Sequence, residues 1–350
     1  MIDFRYHLVS IVAVFLALAI GIVLGATELQ GHTIDALNAA SNNLRSQLNA
    51  ASAQRDSYQL LTSAGEQYLQ TAEPKLLAHL LDGQRVVLIT EPGAQSSIVD
   101  GIKQAVTDAG ATVSGQLALQ PAFNDTSGAT QSSLSIINES AASNDGTQLN
   151  PGTDPQTTDQ QQAAQLIATA ILERTANQPG PSAAQAQTLL TGYAQAGYLT
   201  VTGNPTAPAS RATLAVLVTP QNAPPDGAND PANQVLLAIT QEFAYASAAT
   251  VVAGGTMGSA QPGSAISALR ASSVSGAVSS VDDADMTLGQ IVVADALARL
   301  LAGNKPSSYG ISGASAVSPN SLPSAAPSAT ASAQPHAKAT GKGGKPVRNK

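Results

Sequence analysis

Soft metal ligands are sparse in this chain of 350 residues, which contains no cysteine. Without cysteine there can be no disulfide, no thiolate zinc site, no iron–sulfur cluster and no cysteine nucleophile. The remaining soft or imidazole ligands are Met1, Met257 and Met286, and His7, His32, His79 and His336. These residues are far apart and share no spacing typical of metal ligands, so the sequence predicts no copper-binding site of the sulfur or imidazole type.

The densest acidic cluster lies at residues 281–285, directly before a helix that is predicted to begin at Thr287. Carboxylates at this spacing could bind a hard cation, which makes Asp282, Asp283 and Asp285 weak candidates for a metal site. One such cluster, however, supplies fewer than the roughly six to eight oxygens that calcium prefers. The sequence favours the alternative that these acids complement the positive end of the helix dipole, with Asp285 or Thr287 as the N-cap.

Three segments are predicted to follow strands and to meet at one edge of a sheet, namely residues 90–93, 219–221 and 254–256. Ligands of open α/β sheets bind beyond the carboxyl ends of the strands, so these segments could line a shared crevice with Glu91 as its only charge. The chain has no phosphate-binding or dinucleotide-binding loop and no nucleophile elbow, and no histidine lies between His79 and His336. We therefore expect neither enzymatic activity nor a resident cofactor.

The first structural element of the chain is an apolar run at residues 8–25, which has no charge and one hydroxyl group. As a helix this run is about 27 Å long, close to the thickness of the hydrocarbon core of a bilayer. It is longer than the core of a typical signal peptide and lacks a good cleavage site. The sequence predicts an uncleaved membrane anchor over residues 1–27, including Leu8, Phe15 and Leu24; a cleaved signal peptide is the alternative.

The charges on either side of this run predict its orientation. Arg5 and His7 precede the run, whereas Glu28 and Asp35 are the first charges after it. The positive-inside rule therefore predicts a single-pass protein of the cell membrane, with a cytoplasmic N-terminus and an extracytoplasmic main domain.

Residues 28–73 show a heptad pattern that is typical of a coiled-coil stalk. Its a and d positions are Ile34, Leu37, Leu44, Leu48, Ala51 and Tyr58, with Ser41 and Arg55 as polar exceptions. The pattern predicts a helix that ends near Glu73 and Pro74. We expect Ile34, Leu37, Leu44 and Leu48 to join copies of the chain into a homodimer or higher oligomer; the alternative is a helix that packs on the chain's own globular part.

Beyond residue 74 the periodicity changes to that of an α/β protein. A strand at residues 86–90, a helix at 96–109 capped by Ser96 or Ser97, and a strand at 111–119 predict a parallel βαβ unit. The polar region 121–187 is predicted to be either an insertion over the sheet or a mobile linker. Further strands are predicted at 198–201, 213–219, 250–253 and, as the last edge strand, 276–281, with helices at 233–248, 264–270 and 287–301. This alternation predicts a three-layer α/β domain over residues 74–310 with a mainly parallel sheet.

Residues 311–350 are rich in Ser, Ala and Pro, contain five basic and no acidic residues, and are predicted to be a disordered tail with a basic end. The preceding part of the chain is acidic although the overall net charge is only −7. An acidic body argues against nucleic acid as a partner.

Two terminal blocks resemble the actinobacterial MctB family of proposed mycobacterial copper transport outer-membrane proteins. The first block is residues 4–7 followed by the apolar run 10–25. The second comprises residues 279–285, 289–290, 294–297 and 309–310. The resemblance covers residues 1–313, and between the two blocks it is a resemblance of pattern only.

The resemblance implies an envelope protein with an N-terminal membrane helix, a coiled stalk and an extracytoplasmic α/β domain. The family is named for pore-forming copper efflux, so we expect a component of copper efflux in which copper is a transported ion and not a cofactor. The family's links to envelope assembly and cell division imply the alternative of a non-transport structural or interaction protein. Expected partners are membrane lipid, further copies of the chain and a second membrane protein, and the resemblance extends the expected location to an outer envelope layer.

Overall fold

The computed structural model describes residues 4–145, 158–173, 180–256 and 261–312. The chain divides into two units, Met1–Tyr68 and Leu69–Lys350, and helix α1 (Phe4–Leu77) extends across this division. The predicted disordered tail lies outside the described residues except for its first two positions. No helix boundary separates the predicted anchor from the predicted stalk, because α1 continues through residues 27 and 28.

The predicted helix end near Glu73 and Pro74 is wrong, because α1 continues through Pro74 to Leu77. Proline lacks the N–H that would bond to the carbonyl of Gln70 four residues earlier. Gln70 is exposed, so water can satisfy that carbonyl, and Pro74 lies in the last turn of the helix where its cost is small. Leu77 is fully buried in the core of the second unit. Packing of this last turn therefore overrides the local preference of proline.

Within the described residues, seven strands form one sheet in the order β3-β2-β1-β4-β5-β6-β7. The strands are β1 (Arg85–Thr90), β2 (Thr112–Leu119), β3 (Leu199–Gly203), β4 (Leu214–Val218), β5 (Ala249–Ala253), β6 (Ser279–Val281) and β7 (Ser308–Tyr309). All neighbouring strands are parallel except β2 and β3, which are antiparallel. The mainly parallel sheet is thus confirmed. The prediction of 276–281 as the last edge strand is wrong, because β7 pairs with β6 on its outer side.

Helices cover both faces of the sheet and produce three layers. The further helices are α2 (Ser96–Asp108), α3 (Pro121–Asn124), α4 (Gly128–Asp145), α5 (Asp159–Ile171), α6 (Ala183–Gln195), α7 (Pro231–Ala246), α8 (Ala265–Ala271) and α9 (Thr287–Leu301). On one face, α2 and α9 pack with strand residues such as Val86 and Leu88. On the other, α5, α6, α7 and α8 pack with Val87 and Ile89. Alternate residues of the buried strands therefore serve two separate hydrophobic cores.

The polar middle of the chain is an insertion over the sheet, as the first of the two sequence alternatives predicted. Helices α3 to α6 lie between β2 and β3 in the chain, and nine residues of α5 are buried. The Tyr193 hydroxyl of α6 donates a 2.6 Å hydrogen bond to Asn138 Oδ1 of α4, and Asn138 Nδ2 donates to the Asp159 carbonyl at 2.8 Å. These buried bonds join three helices of the insertion.

Candidate functional site

The acidic segment after β6 fastens the edge of the sheet through Arg270 of α8. The Asp282 side chain is 1% exposed, and its Oδ2 accepts a 2.6 Å hydrogen bond from Nη1 of Arg270. The same guanidinium donates to Ser280 Oγ at 2.9 Å and to the Tyr309 carbonyl at 2.7 Å. Asp282 also accepts hydrogen bonds from the backbone N–H and the hydroxyl of Ser312. Arg270 therefore ties β6, β7 and the chain after β7 together.

Opposing effects set the pKa of Asp282. Burial raises this pKa, whereas the donors of Ser312 and Arg270 and the positive charge of Arg270 lower it by more, so the pKa lies below its usual value. Asp283 lacks such a cation and is also buried. Burial, followed by the charge of neighbouring Asp282, raises the pKa of Asp283 to about 6. The two adjacent carboxyl groups thus differ in their ionisation at mildly acidic pH, between about 4 and 6.

The third acid, Asp285, connects two loops and does not cap the following helix. Its Oδ1 accepts hydrogen bonds from the backbone N–H of Thr256 at 2.8 Å and from the Thr256 hydroxyl at 2.7 Å. Met286 occupies the N-cap position of α9, and no side chain makes a capping hydrogen bond there. The prediction of Asp285 or Thr287 as the cap is therefore wrong. The carboxylate is instead engaged by the loop that follows β5.

The acids do not share a partner: Asp282 is bonded to Arg270 and Ser312, whereas Asp285 is bonded to Thr256. Among the residues that the structure describes, no three His, Cys, Asp or Glu side chains are grouped so that they could hold a metal ion. A role for Asp282, Asp283 and Asp285 as metal ligands stays a prediction from the sequence.

A crevice of about 290 Å³ lies beyond the carboxyl ends of β1 and β4. From β1 the sheet continues to β2 on one side and to β4 on the other, so this is the point at which the strand order reverses. Open α/β sheets characteristically bind ligands at such a point. Two of the three segments predicted to meet here are confirmed as lining, through Glu91, Gly93 and Pro220.

The third predicted segment, residues 254–256, does not line this crevice. Gly255 packs closely against Ile98 and Asp285, since a Cβ atom at Gly255 would lie 3.0 Å from Ile98 Cδ1. Its place is taken by residues that the sequence analysis missed: Asn124 at the end of α3, Asn222 in the proline-rich loop and Asn233 near the start of α7. In the sequence, Asn124 and Asn233 lie close to the helix starts at Pro121 and Pro231. Such a start indicates a helix but does not indicate which strand end a nearby asparagine approaches.

Among the described residues, Glu91 is the only ionisable one that lines the crevice. Its backbone is held in place, because the Glu91 N–H donates to the Val218 carbonyl at 3.0 Å and the Glu91 carbonyl accepts from the Ala94 N–H at 3.0 Å. The residue is 6% exposed, and burial raises the pKa of its carboxyl to about 8. A protonated carboxyl group therefore faces the crevice at neutral pH.

The apolar segment Tyr6–Gly25 of α1 has a mean hydropathy of 2.9 and is the one helix, among the described residues, long and apolar enough to cross a membrane. The predicted anchor residues Leu8, Phe15 and Leu24 are exposed, as contact with lipid requires. By itself this segment fits either a membrane span or a signal sequence, since it lies near the N-terminus.

The predicted stalk residues Leu37, Leu44 and Leu48 lie along the same helix and are 60–70% exposed. Ile34 belongs to α1, but its side chain is outside the described set. The helix itself is confirmed, whereas its pairing with another copy stays a prediction.

An apolar N-terminal helix and a mainly parallel seven-stranded α/β domain define a class of protein compatible with membrane anchoring. The chain belongs to the MctB family: the family model described as "Copper transport outer membrane protein, MctB" matches residues 1–319. The chain is similar to "Copper transporter MctB" of Mycobacterium tuberculosis, with 30% identity over 313 residues that cover 89% of this chain and 96% of the relative. "Copper transporter MctB" of Mycobacterium leprae is 29% identical over 315 residues, with the same coverage.

Proposed function

We propose that this chain is a single-pass, membrane-anchored component of copper efflux in the cell envelope. The observation that carries the proposal is the extent of the family match, which includes the apolar helix, the stalk and the α/β domain in one stretch, residues 1–319. Relatives that align with 89% of this chain are named copper transporters. The transported copper ion is cargo in this proposal and is not a resident cofactor.

Transport through this protein requires assembly. A single spanning helix satisfies its own backbone hydrogen bonds but encloses no water-filled path, so a path for ions needs several copies or another membrane protein. The apolar residues Leu37, Leu44 and Leu48 are exposed at heptad spacing, which supports self-association through the stalk. Burial of each leucine between two helices stabilises the pair by about 1.5–3 kcal/mol.

The charges around the apolar helix support an orientation with the N-terminus in the cytoplasm. Arg5 and His7 precede the span, and Glu28 and Asp35 follow it. In this orientation the α/β domain lies outside the cytoplasm, where it can contact other envelope components.

Copper tolerance tests the proposed efflux role. Deletion of the gene is expected to raise intracellular copper and copper sensitivity, and expression of the full chain should restore tolerance. Purified full-length protein should conduct ions across planar bilayers, either alone or together with a co-purified membrane protein. Unchanged copper content together with the absence of conductance would contradict this role.

The stalk is tested by Leu37→Glu and Leu44→Glu in the full-length chain, with crosslinking in membranes as the measurement. Each substitution introduces a charge into the apolar seam and should abolish the crosslinked dimer and lower copper tolerance. Ser46→Glu is the matched control, because Ser46 is exposed and lies off the seam. Equal crosslinking in all three variants would show that Leu37 and Leu44 do not join copies of the chain.

A structural or interaction role in the envelope is the second candidate, and one observation favours it. Helices α4 and α6 form a largely apolar groove of about 590 Å³, lined by residues that include Ile136, Ala141 and Leu189. Ile136 is 67% exposed and is continuous with this apolar groove, and contiguous exposed apolar surface marks protein contacts. Ile136→Asp should then remove a co-purifying membrane protein while copper tolerance is retained; loss of copper tolerance together with that partner would instead connect the groove to efflux.

A further inference from the structure

Two buried side-chain oxygens without partners belong to residues that line the crevice at the reversal point of the sheet. They are Oε1 of Glu91 and Oδ1 of Asn124, and neither has a hydrogen-bond partner among the described residues. Buried polar atoms are normally hydrogen-bonded, because an unpaired atom loses its hydration without compensation. Other buried oxygens also lack partners, but these two share a cavity of about 290 Å³ that a small molecule can enter.

The chemistry of the crevice favours a ligand that donates hydrogen bonds. Both unpaired atoms are oxygens that accept hydrogen bonds, and the part of the chain that the structure describes contributes no Lys, Arg or His to the lining. An anionic ligand such as a phosphate or a carboxylate would therefore meet an acidic group without a compensating cation. The rest of the lining includes three prolines, Pro92, Pro220 and Pro224, against which a short apolar stem can pack.

A metal ion fits the crevice less well than an organic cation does. One carboxylate and the amide oxygens nearby are hard ligands, which disfavours copper. The hard ions calcium and magnesium need about six or more oxygens in a closed arrangement, and the lining offers a single carboxyl group. The volume lies near the lower end of the range for small-molecule sites, so the ligand has few non-hydrogen atoms.

We propose that this crevice binds a small organic ammonium ligand, whose cationic nitrogen donates hydrogen bonds to Glu91 Oε1 and Asn124 Oδ1. The site is independent of the proposed copper role, because no sulfur or imidazole group lines it. It lies where α/β sheets of this topology hold their ligands.

Binding is coupled to the release of a proton. Burial without a neighbouring cation raises the pKa of Glu91 to about 8, so the free carboxyl is protonated at pH 6.5. The ammonium charge favours the carboxylate, and the carboxyl proton passes to solvent as the complex forms. The net charge within the crevice is thus zero in both states: a protonated carboxyl before binding, and one carboxylate with one ammonium group after it.

Isothermal titration calorimetry of the full-length protein in detergent micelles tests this site at pH 6.5, in two buffers of different ionisation enthalpy. The probes are propylammonium, the neutral amide propionamide and the anion propionate, with empty micelles as the blank. Propylammonium should bind at millimolar concentration and release close to one proton, whereas propionate should not bind. Propionamide should bind more weakly and release no proton.

Variants distinguish the site from non-specific binding. Glu91→Gln keeps the shape of the protonated carboxyl and should weaken propylammonium binding about tenfold or more, because the charge-assisted hydrogen bond is lost. Asn124→Ala should also weaken it, whereas Glu139→Gln, at an exposed glutamate of α4, should have no effect. Near-ultraviolet circular dichroism from the buried tyrosines verifies that each variant is folded. Absence of propylammonium binding, preference for propionate, binding without proton release, or equal binding to Glu91→Gln would each overturn the proposal.

Discussion

Removal of the Arg270 guanidinium should destabilise the α/β domain more than removal of any exposed arginine. Arg270→Met retains most of the aliphatic stem and deletes every donor. The lost hydrogen bonds are those to Asp282 Oδ2 at 2.6 Å, the Tyr309 carbonyl at 2.7 Å, and Ser280 Oγ and Ser312 Oγ at 2.9 Å each. The substitution leaves the Asp282 carboxylate buried without its cation.

The expected loss follows from the burial of that carboxylate. The Asp282 side chain is 1% exposed, and deletion of one partner of a buried ion pair costs about 3–5 kcal/mol. The Ser312 N–H still donates to Asp282 at 3.0 Å, so the lower end, about 3 kcal/mol, is expected. This is a large fraction of the roughly 5–15 kcal/mol by which a domain is stable.

The loss of stability caused by Arg270→Met should also depend on pH. The pKa of Asp282 is lowered in the folded wild type, so its ion pair contributes stability that is present above the usual carboxyl pKa near 3.8 and is lost as pH falls below it. In Arg270→Met the pKa of Asp282 rises, because burial is then opposed by Ser312 alone. The difference in the free energy of unfolding between wild type and Arg270→Met should therefore be largest near pH 7 and should shrink as pH falls towards 4 and below, where protonation removes the buried charge.

The assay is guanidinium unfolding of the full-length protein in detergent micelles, followed by near-ultraviolet circular dichroism of the buried tyrosines Tyr193, Tyr198 and Tyr309. Arg55→Met is the control, because the Arg55–Asp56 pair is exposed and contributes about 0–1 kcal/mol. The double variant Arg270→Met/Asp282→Asn should recover part of the loss, since it removes the buried charge. If Arg270→Met is no less stable than Arg55→Met, the assignment of Arg270 as the residue that fastens this edge of the sheet is refuted.

Two further predictions concern the crevice and helix α9. The raised pKa of Glu91, about 8 against 4.5 when unfolded, contributes stability that is full below pH 4.5 and is lost as pH rises through 8. The free energy of unfolding of Glu91→Gln should therefore increase relative to that of wild type as pH rises, by roughly 4 kcal/mol near pH 8. Denaturant unfolding measures this, and the same difference between variant and wild type at pH 5 and at pH 8 would contradict it. Gly289→Ala should strongly destabilise the domain, because a Cβ atom there would lie 2.0 Å from the Asp283 carbonyl oxygen, whereas Gly192→Ala in α6, with no atom within 4 Å, should stabilise it by about 0.5–1 kcal/mol. Thermal unfolding of both glycine variants measures the contrast, and similar melting temperatures would show that the backbone near Asp283 adapts.

Much of the fold was predictable because it depends on patterns within short stretches of sequence. The bounds of α9 match the predicted residues 287–301, since its apolar spacing and the glycine after it are local signals. The buried strands β1 and β4 also appear where continuous apolar runs predicted them. Helix α2 was predicted with Ser96 or Ser97 as its cap, but Gln95 occupies that position without a side-chain capping bond. The helix was thus predicted, whereas its N-cap was not.

The candidate site was predicted only in part. Glu91 and residues 219–221 were expected at one edge of the sheet, because the carboxyl ends of parallel strands lie together. Asn124 and Asn233 could not be assigned to the crevice, since they reach it through an insertion and a loop whose paths depend on packing. The unpaired state of the Glu91 carboxyl is likewise a property of its surroundings and not of its residue type.

The sequence by itself determined the apolar N-terminal helix, the lack of cysteine ligands and the alternation of strands and helices, because composition and periodicity act over a few neighbouring residues. Only the tertiary structure decided that β7 forms the edge of the sheet, that Arg270 pairs with Asp282 and that Glu91 and Asn124 share a crevice. The last two pairs join residues 12 and 33 positions apart, and β7 pairs with β6 across α9. Contacts over such separations arise from the packing of whole elements, which no local pattern encodes.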